Sequence, residues 1–187
     1  AQADAQGRPY VYLDGPGGTQ VHRSVIEAMT AYLVETNANH QGAFVTSRRS
    51  DAILEAARAA MADFFNAPSH QEIVFGANMT TLTFHISRTI GKLLRPGDEV
   101  VTTLLDHNAN VAPWLQLAEQ GVVVRQVPFH PADCTLDMDA MREAINPRTR
   151  VVAVGYASNG VGTINDVAQV ARWAHEVGAW CYVDAVH

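Results

Sequence analysis

Four short runs constrain this chain more than any other feature: EVVTTLL (99–105), VVVRQVPF (122–129), RVVAVGYAS (150–158) and WCYVDAVH (180–187). Each is rich in β-branched or aromatic residues at consecutive positions, the composition of a strand, and WCYVDAV has the character of one buried on both faces of a parallel sheet. Between and before them lie stretches with apolar residues at helical spacing, over 79–94, 113–119, 138–145 and 167–177. The last of these sets Val170, Ala171, Ala174 and Val177 on one face. EIVFG (72–76) reads as one more strand, ahead of the first of these helices. Strands alternating with helices predict an α/β fold, a largely parallel sheet flanked by helices.

Upstream, LDGPGGT (13–19) reads as turns. A helix is expected over 21–35 with Val25, Ile26, Met29 and Leu33 along one face, and a second over 51–65 started by Ser50 and Asp51. Residues 1–50 are expected to form an N-terminal segment with an entry loop, and 51–187 part of a larger sheet domain. The last run stops at the C-terminal tip of a strand. The sheet is therefore expected to be incomplete, with apolar edges left open, and the chain to be the N-terminal portion of a larger protein.

Composition narrows the function. The 187 residues are 48% hydrophobic and 17% charged, with a net charge of −6. An acidic chain without a basic run argues against nucleic-acid binding. Cys134 and Cys181 form no CxxC pair, so neither a disulfide framework nor a zinc ribbon is indicated. No apolar run reaches the ~18–20 residues of a membrane span, and the N-terminus lacks a signal-peptide core. A cytoplasmic protein is expected. Of thirteen basic residues one is a lysine, Lys92. Any chemistry needing a lysine must use it or obtain one elsewhere.

In open α/β sheets, ligands gather past the carboxyl ends of the strands. Asn78-Met79-Thr80 opens a helix, whose free N–H groups suit a phosphate; the plainer reading is an ordinary Asn/Thr cap. His107 follows the EVVTTLL run and can stack on a ring, move a proton or bind metal, or be a solvated loop residue. Asn159, in SNGVG, can hydrogen-bond a ligand oxygen or simply shape a turn. Asp184 ends WCYVD with no cationic residue after it, although a buried carboxylate requires a partner. No GxGxxG or GxxxxGK[ST] occurs, so dinucleotide and P-loop sites are not indicated. Together the exits suit a ligand with a phosphate, a flat ring and a basic ring nitrogen, features that pyridoxal 5'-phosphate combines.

YLDGPGGTQVHRSVIEAM, FGANMTTLTFHISRTIG, LDHNANVAPW, SNGVGTINDV and YVDAVH resemble, in order and spacing, the N-terminal half of fold-type-I pyridoxal-phosphate enzymes. The resemblance is to the class V aminotransferase group, cysteine-desulfurase-like members above all. It implies that Asn78, Met79 and Thr80 bind the phosphate, that His107 stacks on the pyridine and that Asp184 bonds the ring nitrogen. It also implies that Asn159 and His187 approach the ring hydroxyl, and that His107 and Asp184 are the catalytic pair. No metal is implied. The implied activity is cleavage of the C–S bond of an amino-acid substrate, with transamination, epimerisation or kynureninase-like cleavage as alternatives, in a homodimer. The family's Schiff-base lysine and the desulfurases' mobile cysteine would both lie beyond His187. Lys92 falls near a helix end, where a cation offsets the dipole, and Cys181 reads as an inert core residue. Two readings from other classes stand beside this one. They are a metal-dependent hydrolase using Asp106/His107 and Asp184/His187, and a catalytically silent scaffold subunit.

Overall fold

The computed structural model describes residues 3–13 and 15–187. Asp14, within the expected entry loop, lies outside them. The chain divides into two compact units, Ala1–Phe75 and Gly76–His187. A boundary after residue 50 falls inside a helix.

The first unit carries α1 (Arg23–Glu35) and α2 (Val45–Phe65), with a 3-10 turn at Gly15–Gly17 in the entry loop and another at His70–Glu72. The apolar stripe of α1 is real but exposed, Met29 and Leu33 at 61% and 62%. α2 begins six residues before the expected start at Asp51 (51 − 45 = 6), because the residues read as its cap serve the loop before it. Ser50 Oγ donates to the Thr36 carbonyl (3.1 Å), and the Asp51 carboxylate accepts from the Gln41 N–H (3.0 and 3.1 Å). EIVFG is not a strand. Its tail, after the 3-10 turn, runs unpaired with Val74 74% exposed, since extended backbone becomes a strand only where a neighbour completes its ladder.

The second unit is a three-layer α/β/α arrangement. Its elements are α3 (Met79–Gly91), β1 (Glu99–Thr103), α4 (Ala112–Leu115), β2 (Val123–Val127), β3 (Phe129–His130), β4 (Thr135–Leu136), α5 (Met138–Ala144), β5 (Thr149–Gly155), α6 (Val167–Glu176) and β6 (Trp180–Asp184). Four strands form one parallel sheet in the order β2-β1-β5-β6, and β3 and β4 make a separate antiparallel pair. The pleat sorts the core into two layers. Val100, Val151 and Ala153 pack with Trp114, Leu117, Ile90 and Leu94 on the side of α3 and α4. Val101, Val152 and Val154 pack with Met141, Val170 and Ala174 on the side of α5 and α6. Burying each such valine contributes roughly 1.5–3 kcal/mol.

Strand ends are set by particular residues. β1 stops at Thr103, two residues short of the apolar run, because the Thr103 hydroxyl accepts the N–H groups of Leu105 and Asp106 and turns the chain. β2 stops before Pro128, which has no N–H for the ladder, so Phe129 passes to the small hairpin. The expected helix over 113–119 is one α-turn continued by a 3-10 turn, Gln116–Gln120, ended by left-handed Gly121 (φ 82°). β6 pairs with β5 alone, and Trp180 (52%) and Val183 (38%) are exposed. Among the described residues the run is therefore only partly covered, with Cys181 and Tyr182 facing the two core layers.

Candidate active site

All four strands point the same way, so their carboxyl ends share one edge, and α3, leading into β1, brings its N-terminus toward that edge. Asn78 caps α3, its Oδ1 accepting from the Thr81 N–H (2.9 Å). The first helical donor is Leu82, to the Asn78 carbonyl (3.1 Å), so the N–H groups of Met79 and Thr80 stay open beside the exposed Thr80 side chain. This is the geometry of an anion cradle. Thr83, one turn on, shares a 2.8 Å hydrogen bond with the Tyr182 hydroxyl of β6, whose ring meets buried Trp114 edge-on at 5.5 Å. Burial pushes the Tyr182 phenol up. The start of α3 is thereby tied to the strand that carries Asp184.

His107 stands exposed past β1 and caps the 3-10 turn Asn108–Asn110, Nδ1 accepting from the Ala109 N–H (3.1 Å). That hydrogen bond places the ring proton on Nε2. α3 packs against this turn. Asp184 ends β6; its Oδ1 accepts from the Val186 N–H (3.2 Å) and its carbonyl from the Tyr156 N–H (2.7 Å). Among the described residues no cationic side chain pairs with it. Asn159 rides a loop closed by the Ala157–Ile164 bridge, with Ser158 Oγ accepting from the N–H groups of Gly160 and Val161. The fold thus gathers the α3 turn, His107 and Asp184 on one edge. Asn159 and His187 stand exposed there without hydrogen bonds to the others.

Asp106 matters more than its residue type suggests. Its Oδ1 accepts from the Gly155 N–H (2.8 Å) and its Oδ2 from Asn110 Nδ2 (2.9 Å). Burial pushes this carboxyl up and the charge of Asp184 adds to the rise, while hydrogen bonds from Gly155, Thr103 and Asn110 pull it down. With both oxygens engaged, Asp106 is ill placed as a metal ligand. Among the described residues no group of three His, Cys, Asp or Glu side chains is placed to hold a metal ion. The signal for this bridge was a glycine inside a strand run, where another group approaches the backbone. A Cβ on Gly155 would meet Asp106 Oδ1 at 2.8 Å.

Lys92 is the C-cap of α3, at the opposite end from the cradle and about 18 Å from Thr80 at ~1.5 Å per residue. Cys181 packs against the α5/α6 layer, its thiol pushed up by burial, and Cys134 lies in the β3–β4 turn with left-handed backbone (φ 58°). No helix among the described residues is long and apolar enough to cross a membrane.

The chain is similar in sequence and in fold to proteins described as cysteine desulfurases. A probable cysteine desulfurase from Methanothermobacter thermautotrophicus is 39% identical over 95% of this chain, and the cysteine desulfurase of Dickeya dadantii 36% identical over 98%. The apo structure of a cysteine desulfurase from Thermococcus onnurineus superposes over 94% of the chain with a TM-score of 0.86 at 29% identity. The chain spans 44–45% of the length of each. The family model for aminotransferase class V matches residues 11–187, and with that match over nearly its whole length the chain belongs to the class V aminotransferase family.

Proposed function

We propose that this chain is the cofactor-binding part of a pyridoxal 5'-phosphate enzyme that cleaves the C–S bond of a cysteine-like amino acid. The observation that carries the reading is the convergence, on one sheet edge, of an open helix N-terminus and a carboxylate without a cationic partner. This donor set fits the group at both its charged ends. Asn78, Met79 and Thr80 hold the phosphate through open N–H groups and the Thr80 hydroxyl. Asp184 would accept a hydrogen bond from the protonated ring nitrogen, the cation its environment lacks. His107 would stack on the flat ring, and Asn159 and His187 would approach its hydroxyl. Bound there, pyridoxal phosphate supplies an electron sink for the substrate Cα. Asp184 strengthens that sink by keeping the ring nitrogen protonated, and His107 is placed to hold or move a proton above the ring. The amine that anchors the cofactor is not Lys92, which sits at the wrong end of α3. It comes from a segment outside these residues. A cytoplasmic homodimer completes the reading.

The test is titration of pyridoxal phosphate into the full-length protein, followed by absorbance, with alanine formation from L-cysteine as the activity. Wild type is expected to bind and turn over, and Asp184→Ala to bind partly and not turn over. Failure of the wild type to bind pyridoxal phosphate sinks the reading. Binding without turnover of any amino acid identifies a silent scaffold.

A further inference from the structure

We propose that Asp106 is a positioning residue that fixes the pose of the His107 imidazole by clamping its turn to the end of β5. The value of that pose for ring stacking rests on the function proposed above; the clamp itself rests on geometry.

His107 is exposed at the strand exit. Its ring is held by one hydrogen bond, Nδ1 from the Ala109 N–H, inside a turn closed by the Asn110 N–H donating to the His107 carbonyl (2.8 Å). The pose of the ring is therefore the pose of the turn. Asn110 anchors the turn. It is fully buried, its Oδ1 has no partner, and the single hydrogen bond of its side chain runs from Nδ2 to Asp106 Oδ2. The other Asp106 oxygen takes the Gly155 N–H, and the Gly155 carbonyl takes Asn165 Nδ2 (2.8 Å). Removing the Asp106 carboxylate leaves the Asn110 amide buried with neither end satisfied, a state proteins relieve by moving the segment. The turn, and His107 with it, is what moves.

Two substitutions reach the clamp from opposite sides. Asp106→Ala removes the carboxylate. Gly155→Ala leaves it in place but sets a Cβ 2.8 Å from Oδ1, forcing the carboxylate aside. Asp106→Asn should rescue. Its oxygen can accept from Gly155, and its amide can donate to the Asn110 oxygen once that side chain turns over.

The first readout needs no cofactor. In full-length protein with labelled histidine, the His107 ring nitrogens report an Nε2–H tautomer, and Ala109 amide exchange reports the cap. Asp106→Ala and Gly155→Ala are expected to mix the tautomers and speed Ala109 exchange at least about tenfold, with Asp106→Asn close to wild type. If neither alanine variant moves these signals while circular dichroism shows a native fold, the clamp is refuted. Should Asp106→Ala fail to fold, Gly155→Ala and Asp106→Asn carry the same comparison.

The second readout is pyridoxal phosphate affinity in a double-mutant cycle. His107→Ala and Asp106→Ala are each expected to weaken binding about tenfold, and the pair no more than about twofold beyond His107→Ala alone. A loss of about a hundredfold in the pair means that Asp106 acts independently of His107, and overturns the positioning role. If wild type does not bind pyridoxal phosphate yet the ring signals move as expected, the cofactor reading falls and the clamp stands.

Discussion

Replacing Glu99 by Gln should destabilise the protein in a pH-dependent way that the structure quantifies. Glu99 opens β1 with its side chain 2% exposed. It accepts from Arg125 Nη2 (3.2 Å), from Arg148 Nη2 (2.7 Å) and from Asn146 Nδ2 (2.8 Å), so one carboxylate ties the start of β1 to the middle of β2 and to the turn before β5. Its pKa is lowered from an ordinary 4.5 to about 2, first by the Arg125 hydrogen bond and then, against the cost of burial, by Asn146 and Arg148. At about 1.4 kcal/mol per tenfold in proton affinity, that sets a ceiling of about 3 kcal/mol. Both guanidiniums are half in water, 45% and 64% exposed. Solvent screening therefore reduces the expected contribution to roughly 1–2 kcal/mol. Because folding lowers this pKa, the stabilisation is complete above pH ~4.5 and is lost as pH falls toward 2. Urea denaturation of wild type and Glu99→Gln should differ by roughly that amount at pH 7, and the gap should narrow steadily below pH 4.5. A gap under about 0.5 kcal/mol at pH 7, or one unchanged at pH 3, refutes the argument.

Other outcomes follow from the candidate site. Asp184→Asn, which keeps the shape but loses the charge, should retain cofactor and lose most turnover; near-normal alanine formation from L-cysteine would contradict the ring-nitrogen role. His107→Phe should keep pyridoxal phosphate affinity better than His107→Ala if the ring serves by stacking, a comparison that titration of the three proteins makes directly. Tyr182→Phe removes the Thr83 hydrogen bond but leaves the edge-on Trp114 contact, so a loss of about 0.5–1.5 kcal/mol in urea denaturation is expected. Borohydride reduction with pyridoxal phosphate, followed by peptide mapping, should leave Lys92 unlabelled at one equivalent, and stoichiometric labelling there would contradict its place at the far end of α3.

Several features were legible in the chain because their causes are local. The β1, β2, β5 and β6 runs announce themselves by consecutive apolar and β-branched residues. α3 begins at Met79, immediately after its capping Asn78, and α6 buries Val170 and Ala174 as their spacing requires. The gathering of Asn78-Met79-Thr80, His107 and Asp184 on one edge also follows from order along the chain, since parallel strands must all exit on the same side.

Tertiary structure decided whatever depended on a partner distant in sequence. EIVFG has the composition of a strand, but without a neighbour its amides join no ladder. Ser50 and Asp51 look like helix caps, yet their hydrogen bonds go back 14 and 10 residues to a loop, and α2 starts without them. Glu99 opens the EVVTTLL run, and nothing in that run names its partners, which lie 26, 47 and 49 residues away. Asp106 found Gly155 across 49 residues. The sequence by itself determined which segments want burial and in what order they leave the sheet. Which buried polar group meets which was settled only by folding, because a hydrogen bond depends on the proximity of two groups and neither one alone encodes it.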